Sequence, residues 1–269
     1  RYGIEFTPMS IRSIRSGGLK DYSVLVLPDG SPGQMMSQFG ASGVAALKDW
    51  VADGGTVVTI RGASVFATLK DVGLSSSRLV GSGDDEKKDV PDAATKSPAP
   101  AASSPAPKTD KPKAEPKANP SSEEMLNDSD DRIAGVLPPI VSPSADANKV
   151  PVPLPGSIMR ATVDRTAYIN YGVDRDELPV LLSGGYFFRY SKEGTNALVF
   201  LASAKAPLTI SGFVWPGNTE RLLAGTSYLI DEPNGGGHAI LFAEDPFFRG
   251  VFRGTTRQFF NAIAFNGAF

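Results

Sequence analysis

Apolar and polar positions follow two different rhythms along this chain, and the change of rhythm divides it. In residues 1–80 the apolar positions form short continuous runs alternating with helical stripes. "IEFTPM" at residues 4–9 reads as a short strand. "YSVLVLPDG" is an apolar run stopped by Pro28-Asp29-Gly30, the pattern of a parallel strand covered on both faces. In "ASGVAALKDWVADGG", Val44, Leu47 and Val51 share a helical face, Trp50 lies at its edge and Gly54 supplies a left-handed stop. "TVVTIRG" reads as a second buried strand. "SVFATLKDVGL" reads as a second amphipathic helix, with Phe66, Leu69 and Val72 inward and Gly73 ending it. This β-α-β-α order predicts a parallel sheet with right-handed crossovers.

Residues 156–269 begin differently. "SIMRATVD", "PVLLSGGYFFRY", "NALVFLA" and "LTISGFVW" read as strands joined by short loops, and several alternate, which suits a mixed or antiparallel extension of the sheet. "HAILFAEDP" returns to the buried-strand type. "TTRQFFNAIAF" reads as a helix that Thr255 or Thr256 caps, with Phe259, Phe260 and Ile263 toward the core. The two blocks are expected to complete one sheet. Between them, residues 81–155 are Pro-, Ala- and Lys-rich, with almost nothing large and apolar as far as Pro120. Such a segment cannot bury enough surface to offset chain entropy, so a disordered insertion looping out of the domain is expected there.

Composition narrows the functions. The chain has 269 residues, 41% of them apolar, enough for one large domain or two small ones. A net charge of −2 argues against a nucleic-acid partner, which calls for a basic face. No run approaches the ~20 apolar residues that cross a bilayer, so no transmembrane segment is expected. There are no cysteines, hence no disulfide, thiolate metal site or cysteine nucleophile. The chain opens in mid-phrase on "RYGIEF" and reads as a piece of something longer.

In an open parallel sheet, ligands sit beyond the carboxyl ends of the strands. Those ends carry "PDG", "RGAS" and "EDPFFRG", so Asp29, Arg61, Ser64, Asp245 and Arg249 are the candidate ligand-binding residues of one rim. Ser64 follows a strand and precedes a helix, as a nucleophile on an elbow would. Gly62 fits the elbow pattern, Phe66 breaks it, and a helix N-cap explains Ser64 equally well. His238 is the only histidine and opens its strand. It is therefore expected at the opposite border of the sheet from Ser64 and Asp245, out of reach for proton transfer. With one histidine and no cysteine, no zinc site is expected within the chain. Neither phosphate-binding glycine motif is present. "FFRGVFRGTT" sets aromatics between arginines, an arrangement that stacks bases or simply packs a core; the acidic balance favours packing.

Taken together, "YSVLVLPDGSPG", "GVAALKDWVADGGTVVTIRGASVFA", "GSIMRATVD", "PVLLSGG", "SGFVWPGN" and "HAILFAEDPFFRGVFRGTTRQFFNAI" resemble the C-terminal domain of large bacterial M14-type zinc carboxypeptidases. The resemblance covers nearly all of the chain outside the Pro-rich segment. It implies a flavodoxin-like α/β fold similar to class I glutamine amidotransferases: a mostly parallel sheet with helices on both faces, plus a β-rich extension. Active amidotransferases carry a Cys on the elbow and a His-x-Glu pair late in the chain. Here the elbow region is "RGASV" and no histidine follows the last strand, so that chemistry does not carry over. The carboxypeptidase pattern His-x-x-Glu with a distant His is also absent. The resemblance thus implies a non-catalytic accessory domain of an exported, periplasmic or secreted parent. That parent's zinc and its hydrolysis of peptide or cell-wall-like substrates lie in a preceding domain, which is the expected partner. Two other readings stay open: an anion-binding sensor with Arg61 and Arg249 as the cations, and a hydrolase with Ser64 as nucleophile beside Asp29 or Asp245.

Overall fold

The computed structural model describes residues 4–82, 149–203 and 206–265. The expected insertion falls largely on residues 83–148, outside the described residues; its last residues lead into a strand from Leu154.

The parallel part of the sheet is β1 (Val24–Leu27), β2 (Thr56–Ile60) and β9 (Gly237–Phe242), in that spatial order. Register runs Val24 to Thr56 to His238 at one end and Ile60 to Phe242 at the other. Around it stand α1 (Ile11–Arg15), α2 (Pro32–Ala52), α3 (Gly62–Thr68) and, at the C-terminal side, α5 (Thr256–Ala264). Side chains alternate across a strand. Thr59 reaches Ser64 of α3 while Phe242 meets Phe259 of α5, which puts α3 and α5 on opposite faces. α2 begins where Ser31 accepts from the Gln34 amide and Pro32 sets the first turn. It kinks at Gly40, and its buried face of Phe39, Val44, Leu47 and Val51 contains the three positions expected from periodicity.

The remaining strands are antiparallel. β8 (Thr226–Asn234) folds back on β9 through a tight hairpin at Gly235-Gly236, and β6 (Thr195–Phe200), β3 (Leu154–Val163) and β4 (Glu177–Gly184) follow outward. β5 (Phe188–Arg189) pairs with β8 and β7 (Thr209–Gly212) with β3. A short helix, α4 (Thr219–Leu223), precedes β8.

This corrects the expected fold. The described residues form a mixed sheet of 9 strands, mostly antiparallel and β-rich, with few helices among them, and not a flavodoxin-like parallel sheet flanked by helices. The physical reason lies in β8. It carries Asp231, Glu232 and Pro233 inside a strand buried over most of its length, so its apolar run is broken and the sequence hides it. That strand turns the chain direction and makes everything beyond it antiparallel. Two smaller corrections follow. Residues 4–9 form no strand, and Ile4 and Phe6 are exposed. α3 ends at Thr68, with Leu69 extended, earlier than its apolar spacing suggests.

Candidate functional site

The turn from β2 into α3 builds the rim. Arg61 sits there with φ 52° and ψ −111°, a strained conformation for a residue with a side chain. Gly62 follows because a Cβ at that position would collide with the Gly30 carbonyl oxygen. The Gly62 amide donates to Asp29 Oδ1 at 3.0 Å. A sharp strand-to-helix turn of this kind holds the nucleophile in elbow-type hydrolases. In this chain its occupant is an arginine.

Two carboxylates and a serine hold that arginine. Nη1 donates to Glu244 Oε1 at 2.6 Å and to Ser183 Oγ at 2.8 Å. Nε lies 3.2 Å from Asp29 Oδ2, a charge contact that is not aligned as a hydrogen bond. The Glu244 side chain is 0% exposed, against 22% for Arg61 and 50% for Asp29. Glu244 also accepts from the Ser183 amide and hydroxyl and from the Asp245 amide, so both of its oxygens are satisfied. Three elements meet at this point: the end of β4 through Ser183, the end of β9 through Glu244, and the β2–α3 turn. Charge around Arg61 totals two carboxylates to one guanidinium, a poor receptor for an anion.

Of the residues expected on the rim, Asp29 and Arg61 are joined directly. Asp245 touches the cluster through its amide, while its carboxylate accepts from the Phe247 amide. Arg249 stands apart in an exposed turn with φ 52°, its guanidinium 5.3 Å from the Phe248 ring. Ser64 is neither elbow nor cap: the cap position is Arg61 and Ser64 lies inside α3. It is wholly buried, donating to the Phe242 carbonyl at 2.8 Å and lying 2.9 Å from Thr59 Oγ1. Glu244 and Ser183 were not singled out from sequence. The Glu244-Asp245 pair offered a signal for the first; nothing offered one for Ser183.

His238 belongs to the other end of β9, beside Thr56, four residues from the Phe242 carbonyl that Ser64 binds. Its Nδ1 pairs with Asp231 Oδ1 at 2.8 Å, and its ring meets Tyr168 edge-on. The Tyr168 hydroxyl also bonds to Asp231; burial first, then the Asp231 charge and that bond, hold it above the ordinary phenol range. Among the described residues no three acidic or histidine side chains gather as a metal-binding group. No helix among them is long and apolar enough to cross a membrane.

No protein-family model matches the chain, and no curated protein does. Among solved structures it is similar to the cytoplasmic protein STM1381 from Salmonella typhimurium LT2, at 11% identity and a TM-score of 0.51, covering 98% of this chain and 82% of that one. It is also similar to the cytoplasmic protein STM3548 from Salmonella typhimurium, at 11% identity and a TM-score of 0.44, covering 98% and 76%. A third likeness is to the β-galactosidase from Bacillus circulans sp. alkalophilus, at 12% identity and a TM-score of 0.40, covering 93% of this chain but 23% of that one. The first of these likenesses speaks to fold alone. The Salmonella proteins are described as cytoplasmic, against the exported parent that the sequence resemblance implied, and an exported location is not carried further.

Proposed function

We propose that this chain is a non-catalytic module that serves a larger protein through its surface. One observation carries the reading: the elbow position is filled by Arg61, and that arginine is occupied by Asp29, Glu244 and Ser183. A guanidinium is no nucleophile at neutral pH. The Ser64 hydroxyl is wholly buried inside α3 and donates to the Phe242 carbonyl, and the single imidazole is at the far end of β9. The sequence phrases that resemble M14-type zinc carboxypeptidases support an accessory role beside such a peptidase domain, where the zinc and the hydrolysis would reside.

The test is an assay of the purified chain against peptide, ester and amide substrates, alone and as Ser64→Ala. Turnover should be absent in both. Removing the buried hydroxyl should lower stability by about 1–2 kcal/mol, through its lost hydrogen bonds. Hydrolysis by the unmutated chain that disappears in Ser64→Ala would overturn the reading. A thermal-shift series with phosphate, sulfate and acetate separates the sensor alternative: a receptor gains stability with ligand concentration, and an arginine already held by two carboxylates should not.

A further inference from the structure

Residues Val150-Pro151-Val152-Pro153 run back to the sheet immediately before β3. Proline fixes its own φ and disfavours helix in the residue before it, so alternating prolines leave this stretch extended. Between the two prolines only Val152 carries a backbone N–H. Asn218 Oδ1 accepts it at 3.0 Å, while Asn218 Nδ2 donates to the Val150 carbonyl at 2.9 Å. Trp215 Nε1 donates to the Pro153 carbonyl at 3.1 Å. Pro151 is buried with its carbonyl against Gly185, where a Cβ would stand 3.1 Å from the oxygen. The receiving loop is itself fixed: Asn218 and Thr219 are buried, and the Trp215 amide donates to Thr219 Oγ1 at 2.9 Å. Phe213 extends the aromatic surface edge-on to Trp215 and is 50% exposed.

An indole N–H on a proline carbonyl beside an aromatic wall is a recurring way to read extended proline-rich peptide. We propose that the loop 213–218, with Gly185, is a binding site for extended Pro-x-Pro peptide, occupied in cis by residues 150–153. The Asn218 amide reads the backbone. Trp215 and the Gly185 surface select the shape that alternating prolines impose. A competing peptide of this class binds only as residues 150–153 leave, which makes the site conditional on its own tether. This inference does not depend on the rim.

The experiment uses the full chain and a labelled synthetic peptide of residues 149–156. Pro151→Gly with Pro153→Gly loosens the cis segment, and this double variant should bind the peptide roughly tenfold more tightly than the parent chain does. Adding Asn218→Ala should remove that gain, and a peptide with its prolines replaced by alanine should not bind. A folded double variant that shows no preference for the peptide over the alanine control overturns the proposal. Should the double variant unfold, hydrogen exchange at the Val152 amide of the parent chain decides. Exchange at least about tenfold slower than in the free peptide, with the protection lost in Asn218→Ala, supports the site. Exchange as fast as in the free peptide overturns it.

Discussion

The two ends of β9 carry similar sets of groups and use them differently. At the His238 end, a partly exposed imidazole shares the buried Asp231 carboxylate with Tyr168. At the Glu244 end, a guanidinium is divided between a buried carboxylate and an exposed one, with Tyr228 close by. The histidine can shed its proton when its surroundings disfavour charge; the arginine cannot. The Glu244 end is thus committed to a permanent ion cluster at the place where an α/β protein presents its chemistry. It joins three elements at one point and holds a strained turn in position. Charge at a strand end is weak evidence of a site when carboxylates already neutralise it.

Glu244→Ala should produce the largest effect. It strands Arg61 and the Ser183 amide without their buried partner, at about 3–5 kcal/mol, read by urea denaturation. Asp231→Ala should come second, at about 1–3 kcal/mol, because His238 can go neutral and two neutral donors remain. If Asp231→Ala costs more than Glu244→Ala, the ranking of the two ends is wrong. High pH comes next. Tyr168 is raised above its ordinary 10.0 by burial and then by Asp231. Tyr228 is raised by burial, with Glu244 and Asp245 adding to it and the Thr255 hydrogen bond opposing. Both phenols ionise in the unfolded chain first, so their contribution is whole below about pH 10 and is lost as pH rises beyond it. Tyr168→Phe and Tyr228→Phe should each flatten the alkaline fall in Tm; an unchanged slope in both would remove the phenols from the account. Asp29→Asn should be the smallest, within about 1 kcal/mol, since its carboxylate is half exposed and screened.

Much of the parallel half was legible because its signals are local. Val44, Leu47 and Val51 are spaced for a helix face, and "TVVTI" is apolar enough to be a covered strand. The antiparallel half was only partly legible. β3 alternates cleanly, yet nothing local says that it pairs with β4, β6 and β7. β8 hides because Glu232 is buried on hydrogen bonds from Ser75, Ser76 and Ser191, partners far away in sequence. The strand ends that form the rim are legible in the sequence, but the sharp turn falls on Arg61, three residues before Ser64: Gly62 fits the nucleophile pattern, whereas its task is to let the Gly30 carbonyl approach. Ser183 illustrates the general limit. A polar residue made important only by a tertiary partner leaves no trace in its own neighbourhood.

Gly81 has a positive φ of 80°, and a Cβ there would stand 3.0 Å from the Lys149 carbonyl. The two stems that flank residues 83–148 therefore touch. For a protein engineer this is a ready insertion port: a short glycine bridge or a whole reporter domain could be grafted between the stems without moving a strand. Each doubling of the grafted length should add only about 0.6 kcal/mol of closure entropy.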